Sequence, residues 1–204
     1  MILAASSSPL PAPAATPEDV LRFWFGAPDA AGVLPRRPEW FRKDALFDEA
    51  IRSRFGELHR QARAGHIDAW RQAPVSALAF VIVTDQFPRN LYRGSPDTYS
   101  TDGMALDCAR MMVERGWDME LAPIQRWFVY LPYEHSESLN DQRECLRLFE
   151  RVAVEPRLAD VPEWAVKHMV VIERFGRFPH RNAILGRPSK PEEIEFLKEP
   201  GSSF

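Results

Sequence analysis

The sequence has few cysteines, few glycines and no long apolar run, and each shortage excludes a class of protein. Its 204 residues include two cysteines, Cys108 and Cys145, which are too few for a disulfide scaffold or for a cysteine-based zinc or iron–sulfur site. No apolar run approaches the ~18–20 residues that a membrane-spanning helix needs. Its 26 Lys+Arg nearly balance its 29 Asp+Glu, whereas proteins that bind duplex nucleic acid carry clustered positive charge. We therefore expect neither a nucleic-acid partner nor a membrane partner.

Proline is abundant where glycine is scarce, with 18 prolines against 10 glycines. The stretch from Met1 to Ala15 contains alanine, serine and proline without any charged residue. A secretory signal needs a basic start and an uninterrupted apolar stretch, which serines and prolines break here. We expect residues 1–16 to form a disordered arm and residues 17–204 to form one domain of a cytoplasmic protein.

Helical signals recur along the chain, and the period-two patterns of strands do not. Apolar side chains between Asp44 and Ala64 recur every three or four positions, which predicts an amphipathic helix. The stretch from Pro74 to about Gln86 is apolar nearly all round, which predicts a helix in the middle of the molecule. About eight helices with short connections predict an all-α fold of antiparallel helix pairs.

Other local signals predict where individual helices begin and end. Asp102 is expected to cap one helix, and Asp160 is expected to cap another as part of a capping box. Pro132 is expected to terminate the helix that Pro123 opens, because proline lacks the N–H that a helix interior needs.

Three segments combine a proline and an aromatic residue with many polar groups. They are Asp85–Gly94 (DQFPRNLYRG), Leu131–Glu137 (LPYEHSE) and Phe175–Asn182 (FGRFPHRN), and each directly follows an apolar helix. Polar groups beside aromatic rings are partly dehydrated, and they must find partners or cost about 1–3 kcal/mol each. The FPRN of the first segment is similar to the FPHRN of the third, which suggests that one loop conformation is used twice.

These motifs, with the VLRFWFG that begins at Val20, resemble the bacterial family catalogued as domain of unknown function 924. The resemblance covers the chain from about Pro17 to Phe204. It implies an all-α fold similar to the right-handed superhelix of tetratricopeptide repeats, and it implies no established activity.

The guanidinium groups in and around the three segments outnumber the carboxylates, which predicts an anion site. Six arginines there face four acidic residues, and a planar guanidinium matches two oxygens of a carboxylate or phosphate. We expect a small anionic molecule or an acidic peptide as the partner, clamped by Arg89, Arg177 and Arg181. The residues predicted to line the site are Asp85, Gln86, Arg89, Asn90, Arg93, Glu134, His135, Arg177, His180, Arg181 and Asn182.

Two other interpretations fit the same residues. In one, the protein is a hydrolase-type enzyme in which His135 is a general base oriented by Glu137 or Glu134. In the other, the polar groups form a purely structural clasp in an interaction scaffold, each arginine being paired with an acid. The spacing of histidines and acids matches no known metal-ligand pattern, so we expect no metal and no cofactor. The sequence leaves the oligomeric state open.

Overall fold

A computed structural model describes residues 15–203, and their regular structure is helical throughout. The α-helices are α1 (Pro17–Phe25), α2 (Ala45–Arg63), α3 (Pro74–Val81), α4 (Phe87–Leu91), α5 (Asp102–Glu114), α6 (Pro123–Glu134), α7 (Leu139–Val152), α8 (Val161–Phe175) and α9 (Pro191–Phe196). The described residues contain no strand, and the all-α class is confirmed. Residues 1–14 of the predicted arm lie outside the described residues.

Several helix ends are formed by contacts between nearby residues, as the sequence predicts. The Thr16 hydroxyl accepts from the backbone N–H of Asp19, and the Asp19 carboxylate accepts from that of Thr16 in return. Asp44 caps α2 by accepting from two backbone N–H groups of the first turn. Gly176 ends α8 with a φ of 68°, a left-handed conformation that glycine adopts without strain.

Two of the expected caps and one expected helix end are wrong, although α5 and α8 begin within one residue of the expected positions. Asp102 and Asp160 make no capping hydrogen bond, because Arg89 and Arg36 bind their carboxylates instead. A charge-assisted bond to a guanidinium is stronger than a neutral cap. Pro132 lies inside α6, which continues to Glu134.

The helix α3 lies at the centre of the molecule, as its apolar sequence predicts. Every residue from 77 to 83 is completely buried, and α3 packs against α1, α5 and α6. The later helices pack in chain order, α5 on α6, α6 on α7 and α7 on α8. The C-terminal ends of α3 and α6 therefore meet in the interior.

A π-helical turn, Ile82–Gln86, joins α3 to α4, so the helix does not end near Gln86 as predicted. Pro88 has no N–H to donate to the carbonyl of Thr84, four residues earlier. The hydroxyl of Thr101, just before α5, donates to that carbonyl at 2.6 Å instead. The π turn thus continues the helix past a proline and leaves Asp85 and Gln86 buried.

Replacing Thr101 with valine should lower the free energy of unfolding by about 2 kcal/mol. Valine keeps the shape but leaves the Thr84 carbonyl without its donor, and His59 Nε2, 3.3 Å from the hydroxyl, also loses its contact. Urea unfolding measures the loss. The control S100A removes an exposed hydroxyl bound to Asp97 O and should change stability by less than about 0.5 kcal/mol. Equal losses for T101V and S100A would contradict the role of Thr101.

Candidate functional site

At the end of the π turn, Asp85 is completely buried and forms a hydrogen bond with His135, which follows α6. His135 Nδ1 lies 2.8 Å from Asp85 Oδ1, and Gln86 Nε2 donates to Asp85 Oδ2 at 2.6 Å. Burial raises the pKa of Asp85, but the charges of Arg89 and His135 and the hydrogen bonds outweigh it and lower the pKa to about 2. The carboxylate is therefore ionised at neutral pH.

The ionised Asp85 fixes the tautomer of His135. A carboxylate only accepts hydrogen bonds, so neutral His135 carries its proton on Nδ1 and has a lone pair on Nε2. Burial and the charge of Arg89 lower the pKa of His135, against the opposing effect of Asp85. The partner of this histidine is thus Asp85, 50 residues away in sequence, where we expected Glu134 or Glu137.

Two arginines from different segments approach Asp102, at the start of α5. Arg89 Nη1 and Nη2 donate to the two carboxylate oxygens at 2.9 and 3.1 Å. Arg181 Nη1 lies 3.8 Å from Asp102 Oδ2, beyond hydrogen-bond distance. Asp102 was not predicted as a site residue, because its position also suits a helix cap and no sequence signal identifies its partner.

The guanidinium of Arg181 lies close to two aromatic rings. Its Cζ is 4.6 Å from the ring centroid of Tyr99 and 4.5 Å from that of Phe178. The side chain is 9% exposed, and its Nε has no hydrogen-bond partner among residues 15–203. Burial and the charge of Arg89 lower the pKa of Arg181, partly opposed by Asp102. This cation is therefore only partly compensated by its surroundings.

Three other titratable groups nearby, Glu134, His168 and His180, are mainly uncharged at neutral pH. Burial and Asp85 raise the pKa of Glu134 to about 8, and its Oε1 lies 3.4 Å from His168 Nδ1. Burial lowers the pKa of His168 to about 3, and its Nδ1 contacts the Trp164 carbonyl at 2.9 Å. Burial and then Arg181 lower the pKa of His180 to about 4.

Asn90 and Arg93, both predicted to line the site, bind an acid on α2 instead. Asn90 Nδ2 donates to Asp48 Oδ1 at 2.7 Å, and Arg93 Nε donates to Asp48 Oδ2 at 2.7 Å. These contacts fasten α4 and the following turn to α2.

A second set of pairs fastens the C-terminal segment. Arg177 donates to both oxygens of Glu193 at 2.6 and 2.8 Å, and Asn182 Nδ2 donates to the same carboxylate at 3.1 Å. Arg187 donates to both oxygens of Glu137 at 2.7 and 2.9 Å. Glu137 also accepts from a backbone N–H, so it is a structural acceptor and lies outside the Asp85–His135 pair.

The similar motifs FPRN and FPHRN supply the same two kinds of contact. Their arginines, Arg89 and Arg181, both approach Asp102, and their asparagines, Asn90 and Asn182, each donate to a carboxylate outside that group. The backbones differ, since the first motif continues a helix and the second forms a 3-10 turn.

The charge excess counted from sequence is reduced by three acids that the count omitted. Asp48, Asp102 and Glu193 form ion pairs with Arg93, Arg89 and Arg177, respectively. Within the described range, no group of three or more His, Cys, Asp or Glu side chains is arranged to hold a metal ion. In the same range, no helix combines the length and the apolar character needed to cross a membrane.

Comparisons with known proteins identify relatives but no activity. Residues 20–201 match a family described as bacterial protein of unknown function (DUF924). A solved structure titled as a protein of unknown function, ATU0120 from Agrobacterium tumefaciens, is 36% identical and superimposes with a TM-score of 0.77. That match covers 89% of this chain and 96% of the other. No curated protein matches the sequence.

Proposed function

The chain belongs to this bacterial family of unknown function, and we propose that it binds a small molecule carrying a carboxylate or phosphate group at the guanidinium of Arg181. The observation that carries the proposal is a buried arginine whose Nε–H has no acceptor in the described part of the chain. An unsatisfied buried donor is costly, and a bound anion would satisfy it.

The aromatic contacts of Arg181 favour recognition through the edge of the guanidinium. Tyr99 and Phe178 both lie within cation–π distance of the guanidinium, and these contacts hold its plane in place. The N–H groups lie in that plane, where a carboxylate or phosphate binds with two oxygens.

The carboxylate of Asp102 does not compete with a bound anion for the N–H groups of Arg181. Asp102 already accepts two hydrogen bonds from Arg89, and its nearest distance to Arg181 is 3.8 Å. A ligand carboxylate at Arg181 would therefore bind without displacing an internal hydrogen bond. An acidic peptide would bind through the same chemistry.

The structural clasp is a second role, and it is favoured for different residues. We assign it to Arg93 with Asp48, to Arg177 with Glu193 and to Glu137 with Arg187, because each pair is hydrogen-bonded.

The packing of α5 to α8 in chain order supports a further proposal, a layer of antiparallel pairs in a superhelix similar to tetratricopeptide repeats. We propose that the protein acts in the cytoplasm.

Inorganic phosphate or succinate should raise the melting temperature of the wild-type protein, and R181Q should abolish that rise. A ligand at about ten times its Kd stabilises by about 1.4 kcal/mol, which corresponds to about 3–5 °C for a chain of this size. Differential scanning fluorimetry at constant ionic strength measures the shift.

The matched control is R174Q. Arg174 is exposed on α8 and contacts only the rings of Phe175 and Phe196 among its described partners, so this variant should respond to the anions as wild type does. The absence of a shift with both anions, or an equal shift in R181Q, would contradict the anion site.

A further inference from the structure

We propose that Asp85 and His135 form a general-base pair that hydrolyses a carboxylic ester whose free anionic group is bound by Arg181. This inference rests on the proposed anion site and adds a reaction to it. His135 is the catalytic residue, and Asp85 is a positioning residue that acts through it.

The Asp85–His135 contact has the geometry that a general base requires. A fully buried, ionised carboxylate accepts the Nδ1–H at 2.8 Å, which leaves the lone pair on Nε2. No hydrogen bond among the described residues engages that Nε2, and the His135 side chain is 15% exposed. The partial exposure of the side chain lets water reach this nitrogen. The free lone pair is the atom that takes a proton from water.

The backbone that carries Asp85 is irregular at this point. Asp85 and Gln86 lie in the π turn, and Gln86 holds the second oxygen of the Asp85 carboxylate. Single π turns inside α-helices occur frequently at functional sites. The irregular turn therefore places a carboxylate and its positioning amide together behind His135.

A continuous set of contacts joins this pair to Arg181. Arg89 Nη1 lies 3.4 Å from Asp85 Oδ1 and donates to Asp102 at 2.9 Å, while Asp102 lies 3.8 Å from Arg181. The base and the anion site thus share one group of charged side chains. A substrate held at Arg181 is placed in the same buried cluster as His135.

The reaction balances with water as the only co-reactant. His135 Nε2 takes a proton from water as the water oxygen bonds to the ester carbonyl carbon, and the carbonyl electron pair moves to oxygen. When the tetrahedral intermediate collapses, the bond to the leaving oxygen breaks, and that oxygen receives the proton from His135. The products are a carboxylic acid and an alcohol. Asp85 stays ionised and stabilises the imidazolium between the two steps.

Two esters test the inference: 4-nitrophenyl hydrogen succinate, which carries a free carboxylate, and 4-nitrophenyl acetate, which does not. Wild-type protein should release nitrophenolate from the succinate ester, and H135Q should lower kcat by about 100-fold or more. The control H66Q changes an exposed histidine after α2 and should leave the rate unchanged. R181Q should raise KM for the succinate ester while leaving the acetate ester unaffected.

The pH profile of the wild-type enzyme tests the base without any substitution. The rate should rise with pH to a plateau, and the midpoint of the rise should lie below pH 6.5, because burial and Arg89 lower the pKa of His135 from its usual 6.5. The charged and titratable groups around the ring are Asp85, Arg89, Asp102 and His168. D85N should lower kcat and alter this profile, an effect that a merely structural Asp85 would not produce.

The outcomes separate the two proposals. If phosphate and succinate stabilise the protein through Arg181 but neither ester is hydrolysed in a way that depends on His135, the general-base inference is overturned and the anion site stands. If the succinate ester is hydrolysed with the same KM in wild type and R181Q, the anion site is overturned instead.

Discussion

Replacing Arg89 with glutamine should lower the free energy of unfolding by about 3 kcal/mol, the largest loss expected from any single arginine of the chain. Arg89 is the cation for two acids, binding both oxygens of Asp102 and lying 3.4 Å from the completely buried Asp85. Without it, two carboxylates remain in the interior with poorer compensation. Urea unfolding followed by circular dichroism measures the loss.

The comparison with R181Q distinguishes a structural cation from a ligand-binding one. Asp102 keeps both hydrogen bonds when Arg181 is replaced, so R181Q should cost only about 1 kcal/mol, from the lost contacts with Tyr99 and Phe178. The double substitution R89Q/D102N removes one stranded charge and should recover part of the loss. If R181Q were as destabilising as R89Q, Arg181 would belong to the structural clasp.

Replacing Glu134 with glutamine should remove a large pH dependence of stability. Burial and Asp85 raise the pKa of Glu134 to about 8 in the folded protein, against 4.5 for the free carboxyl. Between these values the folded state binds a proton that the unfolded state has released, so stability falls as the pH rises. The full change is on the order of 5 kcal/mol and is complete above the folded pKa.

Unfolding at about pH 5.5 and about pH 8.5 measures this effect. Wild-type protein should lose stability between the two, and E134Q should be the more stable protein at the higher pH. The groups that face Glu134 are Asp85, Arg89, His168 and Cys145, and all of them stay in place in this variant. E150Q, on the exposed surface of α7, should keep the wild-type pH dependence. A parallel response of E134Q and wild type would show that Glu134 is ionised in the fold.

Much of the fold follows from signals within a few residues of each other. The Thr16 capping box, the glycine after α8 and the all-round apolar stretch of α3 each depend on short-range contacts, and the structure contains all of them. Such signals fix where a helix begins, where it ends and how deeply it is buried. They leave open which distant side chain a charged group binds.

The wrong predictions concern side chains that bind a residue distant in sequence instead of making the local contact that the sequence suggests. Asp102 and Asp160 suit helix caps, but arginines 13 and 124 residues away bind them. His135 has two acids beside it in sequence and yet pairs with Asp85. The side chains of adjacent residues at the end of a helix point in different directions. Proximity in sequence is therefore a poor guide to such pairs.

The polar residues singled out from sequence lie in separate groups. Arg89, Arg181 and His135 lie near Asp85 or Asp102. Arg93 and Arg177 are instead bound by acids on α2 and α9. The polar residues next to aromatic residues in the sequence indicated which segments carry buried polar groups. Which polar residues share a group depends on Asp48 and Glu193, which lie in other helices, 45 and 16 residues from the arginines they bind.

The bond from the Thr101 hydroxyl to the Thr84 carbonyl sets the register between two helices. Because Pro88 cannot satisfy that carbonyl, sliding α5 along α3 by one turn would leave a main-chain acceptor unpaired in the interior. Asp85 and Asp102 directly follow the two bonded residues, so this hydrogen bond maintains the spacing between the two acids. The two acids can therefore keep their relative positions even if neighbouring apolar side chains are exchanged.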